Sequence, residues 1–166
     1  GADGTRGNGP SGRDPVGYRE RSLVGEEPSA RIRCGPTTGL GMLTDKVDHR
    51  TVRSAIELAS HAPSVHNGQP WHWTIGRRVV HLNADLTRWL PATDADGRDL
   101  TVSCGAALHH VRVALAAMGI QAVVHRIPNP GEPDRLATLE LTPGRTTEAD
   151  LELAGAITSR RTDRRP

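Results

Sequence analysis

A junction of helix, loop and strand at residues 62–73 constrains the fold of this 166-residue chain more than any other feature. Pro63 disfavours the helical conformation at Ala62, so the amphipathic segment before it ends there. Pro70 biases Gln69 toward an extended conformation that leads into a strand. The sequence therefore predicts a helix-to-strand loop that is fixed at both ends.

The side chains between the two prolines are mostly short and polar. Ser64 supplies a hydroxyl, and Asn67 and Gln69 each supply an amide that donates and accepts, a set that suits the edge of a flat heteroaromatic ligand. Gly68 lets the backbone approach a ligand closely. These residues predict a ligand-binding loop. The alternative is a helix-capping loop without a ligand, because Ser and Asn are common loop residues.

Apolar periodicity predicts the elements around this loop. The expected order is a helix at 48–61, strands at 71–75 and 79–82, a long helix at 98–118, strands at 121–127 and 136–141, and a final helix from 146 or 147 to 157. This order favours an α+β fold with a mixed sheet packed with helices. Trp71, Trp73 and Trp89 are the only aromatic residues after position 41, so Val, Leu, Ile and Ala must build most of the core.

The first 41 residues differ from the rest in composition. They hold 10 of the 18 glycines and 4 of the 12 prolines, with little apolar periodicity. Such a segment buries too little surface to offset the entropy of ordering, so we predict that 1–41 is a disordered tail. Met42 is the first methionine and precedes the first predicted helix, so 1–41 is upstream or non-native sequence on this interpretation. The folded domain is expected at 42–158.

Charge and composition argue against several classes of protein. The formal charge is only +2, and 20 of the 21 basic residues are arginine, a bias that also arises from nucleotide composition. No nucleic-acid-binding motif accompanies these arginines, so we expect no nucleic-acid partner. No secretory segment or long apolar run is present, so we expect a cytoplasmic protein without a membrane partner.

Cysteine and histidine spacing does not predict a metal site. Cys34 and Cys104 are the only cysteines, too few for a disulfide framework or a zinc site, and Cys104 is expected to be buried and inert. His109 and His110 are adjacent on the predicted long helix and point about 100° apart, so they do not both face one ion. Surface or interface positions suit them better.

The loop also resembles the helix-to-strand loop of the nitroreductase superfamily of FMN-dependent oxidoreductases, which commonly reads Pro-Ser-x-x-Asn-x-Gln-Pro-Trp. All fixed positions of that pattern are present: Pro63, Ser64, Asn67, Gln69, Pro70 and Trp71. The resemblance implies that Pro63, Ser64 and Asn67 contact the flavin, often across a dimer interface. It implies structural roles for Gln69 and Trp71.

The end of the chain carries a second resemblance. It reads Arg-Arg-Thr-Asp-Arg-Arg-Pro over 160–166 and is similar to the Arg-Arg-Ser/Thr-x-Arg run with which nitroreductases usually open. The resemblance implies that Arg160, Arg161 and Thr162 bind the FMN phosphate. Guanidinium groups and a hydroxyl are suitable donors to a dianionic phosphate. The alternative is a solvated basic tail.

Placement of this run at the end of the chain is typical of the Acg-like branch, in which two nitroreductase-like halves in one chain mimic the usual homodimer. Segments 90–94, 97–100 and 103–110 also look like the first half of such proteins. The chain is then the first half of a pseudo-dimeric two-repeat protein, with 159–166 as the start of a truncated second half. One flavin site would combine the Ser64 and Asn67 loop with Arg160, Arg161 and Thr162.

The family resemblance implies a redox function. The implied reaction passes a hydride from NAD(P)H through FMN to a nitroaromatic, quinone or similar small-molecule acceptor. The cofactor carries this chemistry, so no catalytic residue is assigned. His66 and Arg112 are further candidates for ligand contact. A non-catalytic flavin-binding, flavin-sequestering or vestigial Acg-like stress protein is the alternative, because some members of that branch are thought to bind FMN poorly. A homodimer or pseudo-dimer is the expected assembly.

Overall fold

A computed structural model describes residues 18–20 and 47–161 of the chain. Over these residues the elements are β1 (Tyr18–Glu20), α1 (His49–Ala59), β2 (Trp71–Ile75), β3 (Val79–Ala84), α2 (Arg98–Ala117), β4 (Ile120–Arg126), β5 (Arg135–Pro143) and α3 (Glu148–Ser159). Two short 3₁₀ turns lie at Val65–Asn67 and Leu86–Arg88. The helices and the two later pairs of strands follow the predicted order, with bounds that differ by at most three residues.

The strands form one mixed sheet in the order β1-β2-β3-β5-β4. β2 pairs with β3, and β4 with β5, as antiparallel neighbours in sequence. β3 and β5 join the two pairs in antiparallel register, so that Leu82 lies opposite both Trp73 and Ala137. β1 runs parallel to β2 at the edge of the sheet. The predicted α+β class with a mixed sheet is confirmed.

Local signals account for the ends of the helices. α1 reaches Ser60 as its C-terminal cap, and Pro63 follows three residues later. α2 is followed by Gly119, whose φ of 74° is readily adopted by glycine. α3 begins with a capping box, in which Asp150 N donates to Thr147 Oγ1 and Thr147 N donates to the Asp150 carboxylate.

The core lies between the helices and one face of the sheet. Alternate strand residues point into it, as the period of two requires. Those side chains are Trp71, Trp73, Ile75, Val80, Leu82, Ala137, Leu139 and Leu141. The helices bury Val52, Ala55, Ile56, Ala59, Leu100, Cys104, Ala107, Val111, Ala114 and Leu115 against them. On the other face of the sheet, His72, Thr74 and His81 are only half-buried.

α2 is the central helix of this core. By length and composition alone it is apolar enough to cross a membrane. Eight of its residues are nevertheless buried, and it packs against α1, α3 and the sheet. That environment is typical of the core helix of a globular domain. The expected burial of Cys104 is confirmed.

Tyr18–Glu20 form a short strand within segment 1–41, and the interpretation of 1–41 as a disordered tail or non-native upstream segment stays a prediction. These three residues pair with Trp73–Ile75 as β1. Strand addition at a sheet edge uses backbone N–H and C=O groups, so it needs no apolar side-chain pattern that sequence analysis would detect. The remainder of 1–41 lies outside the described residues, and the domain limits at 42 and 158 stay predictions.

Candidate functional site

The loop between α1 and β2 has a rare backbone conformation. His66, Asn67 and Gln69 have φ values of 51°, 55° and 48°, in the left-handed region, so the extended conformation expected at Gln69 is wrong. For L-residues this region costs roughly 1–2 kcal/mol each, less for Asn. Three such residues within four positions persist only where surrounding contacts hold them. We refer to residues 64–69 as the 64–69 loop.

Two contacts hold the loop from within and from α1. Gln69 N donates to Ser64 Oγ at 3.0 Å, closing the loop across five residues. Gln69 Nε2 donates to Ser60 O at 3.1 Å, at the C-terminal end of α1. Trp71 is 2% exposed and anchors the following strand in the core. These contacts agree with the structural roles expected for Gln69 and Trp71.

Helix α2 holds both ends of the loop. Val65 N donates to Ser103 Oγ at 3.3 Å, and Ser103 Oγ donates to Asp99 O at 2.7 Å. Cys104 Sγ donates to Pro70 O at 3.1 Å. Burial, and then the charge of Asp85, raise the pKa of the Cys104 thiol to about 12. At neutral pH the sulfur therefore remains protonated, as a hydrogen-bond donor and not a nucleophile.

Arg88 holds the loop from a third side. Its Nη1 donates to Gln69 O at 3.2 Å and to Gly68 O at 3.5 Å. Its Nε lies 3.3 Å from an Asp85 carboxylate oxygen, which orients the guanidinium. A Cβ at Gly68 would lie 3.2 Å from Val65 O, closer than most real contacts. A side chain at Gly68 would therefore need Val65 O to move by a few tenths of an ångström.

The loop leaves its candidate ligand residues at the surface. Pro63, His66 and Asn67 are exposed, and Ser64 is half-buried. Among the described residues, the Ser64 hydroxyl accepts from Gln69 and donates to none, so its own hydrogen remains for a ligand. An open depression of about 470 Å³ lies beside the loop and is lined by His66, Leu90, Pro91, Ala92 and Thr93.

The structure places the first residue of the terminal arginine run at the end of α1, just before this loop. Arg160 Nη2 donates to His61 O at 3.2 Å, two residues before Pro63. Arg161 Nη1 instead folds back to Ser159 O and Arg160 O at the end of α3. Thr162 lies outside the described residues. Of the three predicted phosphate ligands, Arg160 is therefore the one placed beside the loop.

Comparison with known proteins supports the sequence resemblance. Over 124 residues the chain is 48% identical to "Putative NAD(P)H nitroreductase Rv3131" of Mycobacterium tuberculosis, covering 75% of this chain and 36% of that protein. It is 47% identical over 116 residues to "Putative NAD(P)H nitroreductase acg" of the same organism, covering 69% and 35%. Over these matched residues the chain is similar to the Acg-like branch of the nitroreductase superfamily. It spans about a third of the length of these relatives.

Structural comparison agrees with this nitroreductase assignment at the level of the fold. A crystal structure named as a putative NADH oxidase of Clostridium acetobutylicum has a TM-score of 0.50 and 15% identity. The match covers 62% of this chain and 81% of that one. No protein-family model matches the chain. Flavin contact by Pro63, Ser64, Asn67, Arg160, Arg161 and Thr162 stays a prediction.

A histidine on α2 lies buried near Arg160. His110 on α2 is 9% exposed, and its Nδ1 is buried without a hydrogen-bond partner. Burial lowers the pKa of His110, and neighbouring basic groups lower it further: His109, Arg160 and His61. The rings of His109 and His110 lie 6.2 Å apart at 54°. Within residues 18–20 and 47–161, no group of three His, Cys, Asp or Glu side chains is placed to hold a metal ion.

Sequence analysis did not identify the residues that hold the loop. Ser103, Cys104 and Arg88 act on it from other elements. The His61 carbonyl accepts from Arg160 just before the loop. A weak signal was present at Ser103, a small polar residue within the apolar stripe of a core helix. Arg112 lies on another side of α2, at a separate cavity with His109 and Asp150. The structure therefore does not bring Arg112 to the loop.

Proposed function

We propose that this chain is the first half of a cytoplasmic FMN-dependent oxidoreductase. It passes a hydride from NAD(P)H through the flavin to a nitroaromatic, quinone or similar small acceptor. A second half of the same protein, or a second copy in a dimer, supplies the remaining contacts. The names of the relatives support the reaction class, and their greater length supports an incomplete site in this chain.

The hydrogen bond between Arg160 and His61 carries this proposal. It joins the start of the arginine run to His61, three residues before the 64–69 loop, although the two residues are 99 positions apart. A guanidinium suits a phosphate, and the loop amides and hydroxyl suit a ring edge. Flavin mononucleotide has both parts. A solvated basic tail gives no reason for Arg160 to lie beside this loop.

The donor set fits such a cofactor. Asn67 presents its amide at the surface, and Ser64 has one hydroxyl hydrogen to donate. The apolar residues Leu90, Pro91 and Ala92 line the adjoining depression, where a flat ring would exclude water. A bound flavin supplies the hydride chemistry. The protein residues hold and orient it, and the one thiol in 47–161 is buried and protonated.

Flavin retention tests the proposal. This chain and the same chain extended to the length of its relatives are incubated with FMN and desalted, and their visible spectra are recorded. We expect bound flavin in the extended chain and little in this one. Arg160→Gln should reduce retention in the extended chain. Arg145→Gln is the matched control, because Arg145 is exposed and lies outside both the loop and the arginine run.

The outcomes separate catalysis from its alternative. Retained flavin with NAD(P)H oxidation in the presence of a quinone or nitroaromatic supports the oxidoreductase. Retained flavin without turnover over a panel of such acceptors supports a flavin-sequestering protein. Absence of flavin from both chains overturns the proposal and leaves a vestigial Acg-like protein. Equal losses in the Arg160 and Arg145 variants would refute the role of Arg160.

A further inference from the structure

His110 is a buried titratable group that the flavin proposal does not use. It lies on α2, where the C-terminal end of α1 and the residue after α3 both approach. Its Nδ1 is sealed from solvent and has no partner. A buried unsatisfied polar atom is uncommon and calls for an explanation. The explanation lies in what surrounds the ring.

The side chains that act electrostatically on His110 are all basic. His61 lies at the end of α1, His109 is its neighbour on α2, and Arg160 follows α3. Arg160 also donates to His61 O, which fixes the guanidinium at this junction. No carboxylate is among the groups that shift the pKa of His110. Such a cluster favours a bound anion.

The sealed nitrogen determines the tautomer of the ring. A buried N–H without an acceptor is less tolerated than a buried lone pair without a donor. A neutral His110 therefore carries its proton on Nε2. Nε2 is not among the buried unpartnered atoms, and no hydrogen bond occupies it within the described residues, so it reaches the surface. His110 thereby offers a neutral N–H donor, and Arg160 is close enough to lower the pKa of its ring.

We propose that His110 Nε2 and Arg160 form a phosphate-binding site at the junction of the three helices. The His61 ring, whose Nδ1 lies 3.1 Å from Leu58 O, stands at the edge of this site. The chemistry it takes is a phosphate dianion, from FMN or free in solution. The FMN assignment rests on the proposed function, and it adds His110 to the residues implied by the terminal arginine run. A neutral donor next to a guanidinium binds a phosphate oxygen without the cost of a second buried charge.

FMN and riboflavin differ only in the phosphate, so they test whether the site binds the phosphate of FMN. Affinities for FMN and riboflavin are measured by fluorescence with the flavin-binding extended chain. His110→Leu removes the donor, and His110→Gln keeps an N–H donor near the position of Nε2. We expect His110→Leu to weaken FMN on the order of tenfold, with riboflavin unchanged and His110→Gln close to wild type. His81→Leu is the matched control, since His81 lies on the sheet and contacts Thr138.

Inorganic phosphate tests the site in this chain. Histidine ring nitrogens are followed by ¹⁵N NMR during a phosphate titration, with sulfate and chloride for comparison. Saturable shifts at His110 and His61, absent at His81, support the site. A tautomer with the proton on Nδ1, or rings that do not respond to phosphate, overturns it. This measurement uses the unaltered chain, so it does not depend on the folding of a variant.

The two experiments distinguish failure of the phosphate site from failure of the proposed flavin function. If the extended chain binds no FMN, the flavin proposal fails, and the phosphate titration alone decides whether a free-phosphate site exists. If FMN binds and His110→Leu binds it as wild type does, the site is wrong while the function stands. Equal losses of FMN and riboflavin affinity would show a structural role for His110 and also overturn the phosphate site.

Discussion

Removal of the Ser64 hydroxyl should unfold the 64–69 loop before it affects the rest of the domain. Ser64 Oγ is the acceptor for Gln69 N, and that bond closes a backbone in which His66, Asn67 and Gln69 are left-handed. In Ser64→Ala the half-buried amide of Gln69 loses this partner. The left-handed residues can then change to more favourable φ values, because the hydrogen bond between Gln69 N and Ser64 Oγ no longer holds the backbone in place.

The magnitude follows from the burial of the amide. A net hydrogen bond is worth about 1 kcal/mol, and an unsatisfied donor costs more only where water cannot reach it. Gln69 is half-buried, so water can partly replace Ser64. We expect Ser64→Ala to lower the free energy of unfolding by about 1 kcal/mol. For a domain of this size that loss corresponds to a decrease in Tm of about 4 °C.

Ser60→Ala is the matched control. Ser60 Oγ donates to Ile56 O, but Ser60 N donates to the same carbonyl at 3.0 Å. The carbonyl keeps a partner when the hydroxyl is removed, so the loss should stay below about 0.5 kcal/mol. Urea unfolding of both variants measures the difference. Equal effects, or a Ser64→Ala loss below about 0.3 kcal/mol, would show that Ser64 does not close the loop.

Three further predictions concern other parts of the domain. In a Cys34→Ser background, Cys104 should not react with a thiol reagent at pH 8 until urea unfolds the chain, because burial raises its pKa to about 12; rapid native labelling would refute that burial. Ile127→Gly should raise the free energy of unfolding by about 0.5–1 kcal/mol, because it removes the strain of a β-branched residue at φ 46°. Val123→Gly, at an exposed strand position, should lower the free energy of unfolding. Burial, and then Arg135, lower the pKa of His81. As the pH falls, the unfolded chain therefore binds a proton at His81 before the folded chain does. The free energy of unfolding should be highest above pH 6.5 and decrease below it, and the decrease should be less steep in His81→Gln.

The fold was largely predictable because its signals are local. The helix predicted at 98–118 is observed at Arg98–Ala117, where the apolar stripe and Gly119 set its limits. The strand predicted at 71–75 is observed with the same bounds, since its large residues alternate with polar ones. Pairing of β3 with β5 and addition of β1 depend on contacts between distant segments, and no local pattern encodes them.

The site was predictable as a loop but not as a geometry. Pro63 and Pro70 marked its ends, and its polar residues indicated ligand chemistry. The bond that fixes Val65 comes from Ser103, 38 residues away, and the bond to His61 comes from Arg160, 99 residues away. Backbone carbonyls and amides mediate these contacts, and such groups are present at every position. Sequence pattern therefore cannot indicate which of them are used.

Within the described residues, three other elements of the chain anchor the 64–69 loop. Ser60 holds it from α1, Ser103 and Cys104 from α2, and Arg88 from the segment after β3. The loop should therefore have its shape before a second half or a second copy docks, which reduces the ordering cost of ligand binding. Hydrogen exchange checks this expectation. The amides of residues 65 and 69 should be equally protected in this chain and in the extended chain. Protection that arises only in the extended chain would mean that the partner surface shapes the loop as well as completing the site.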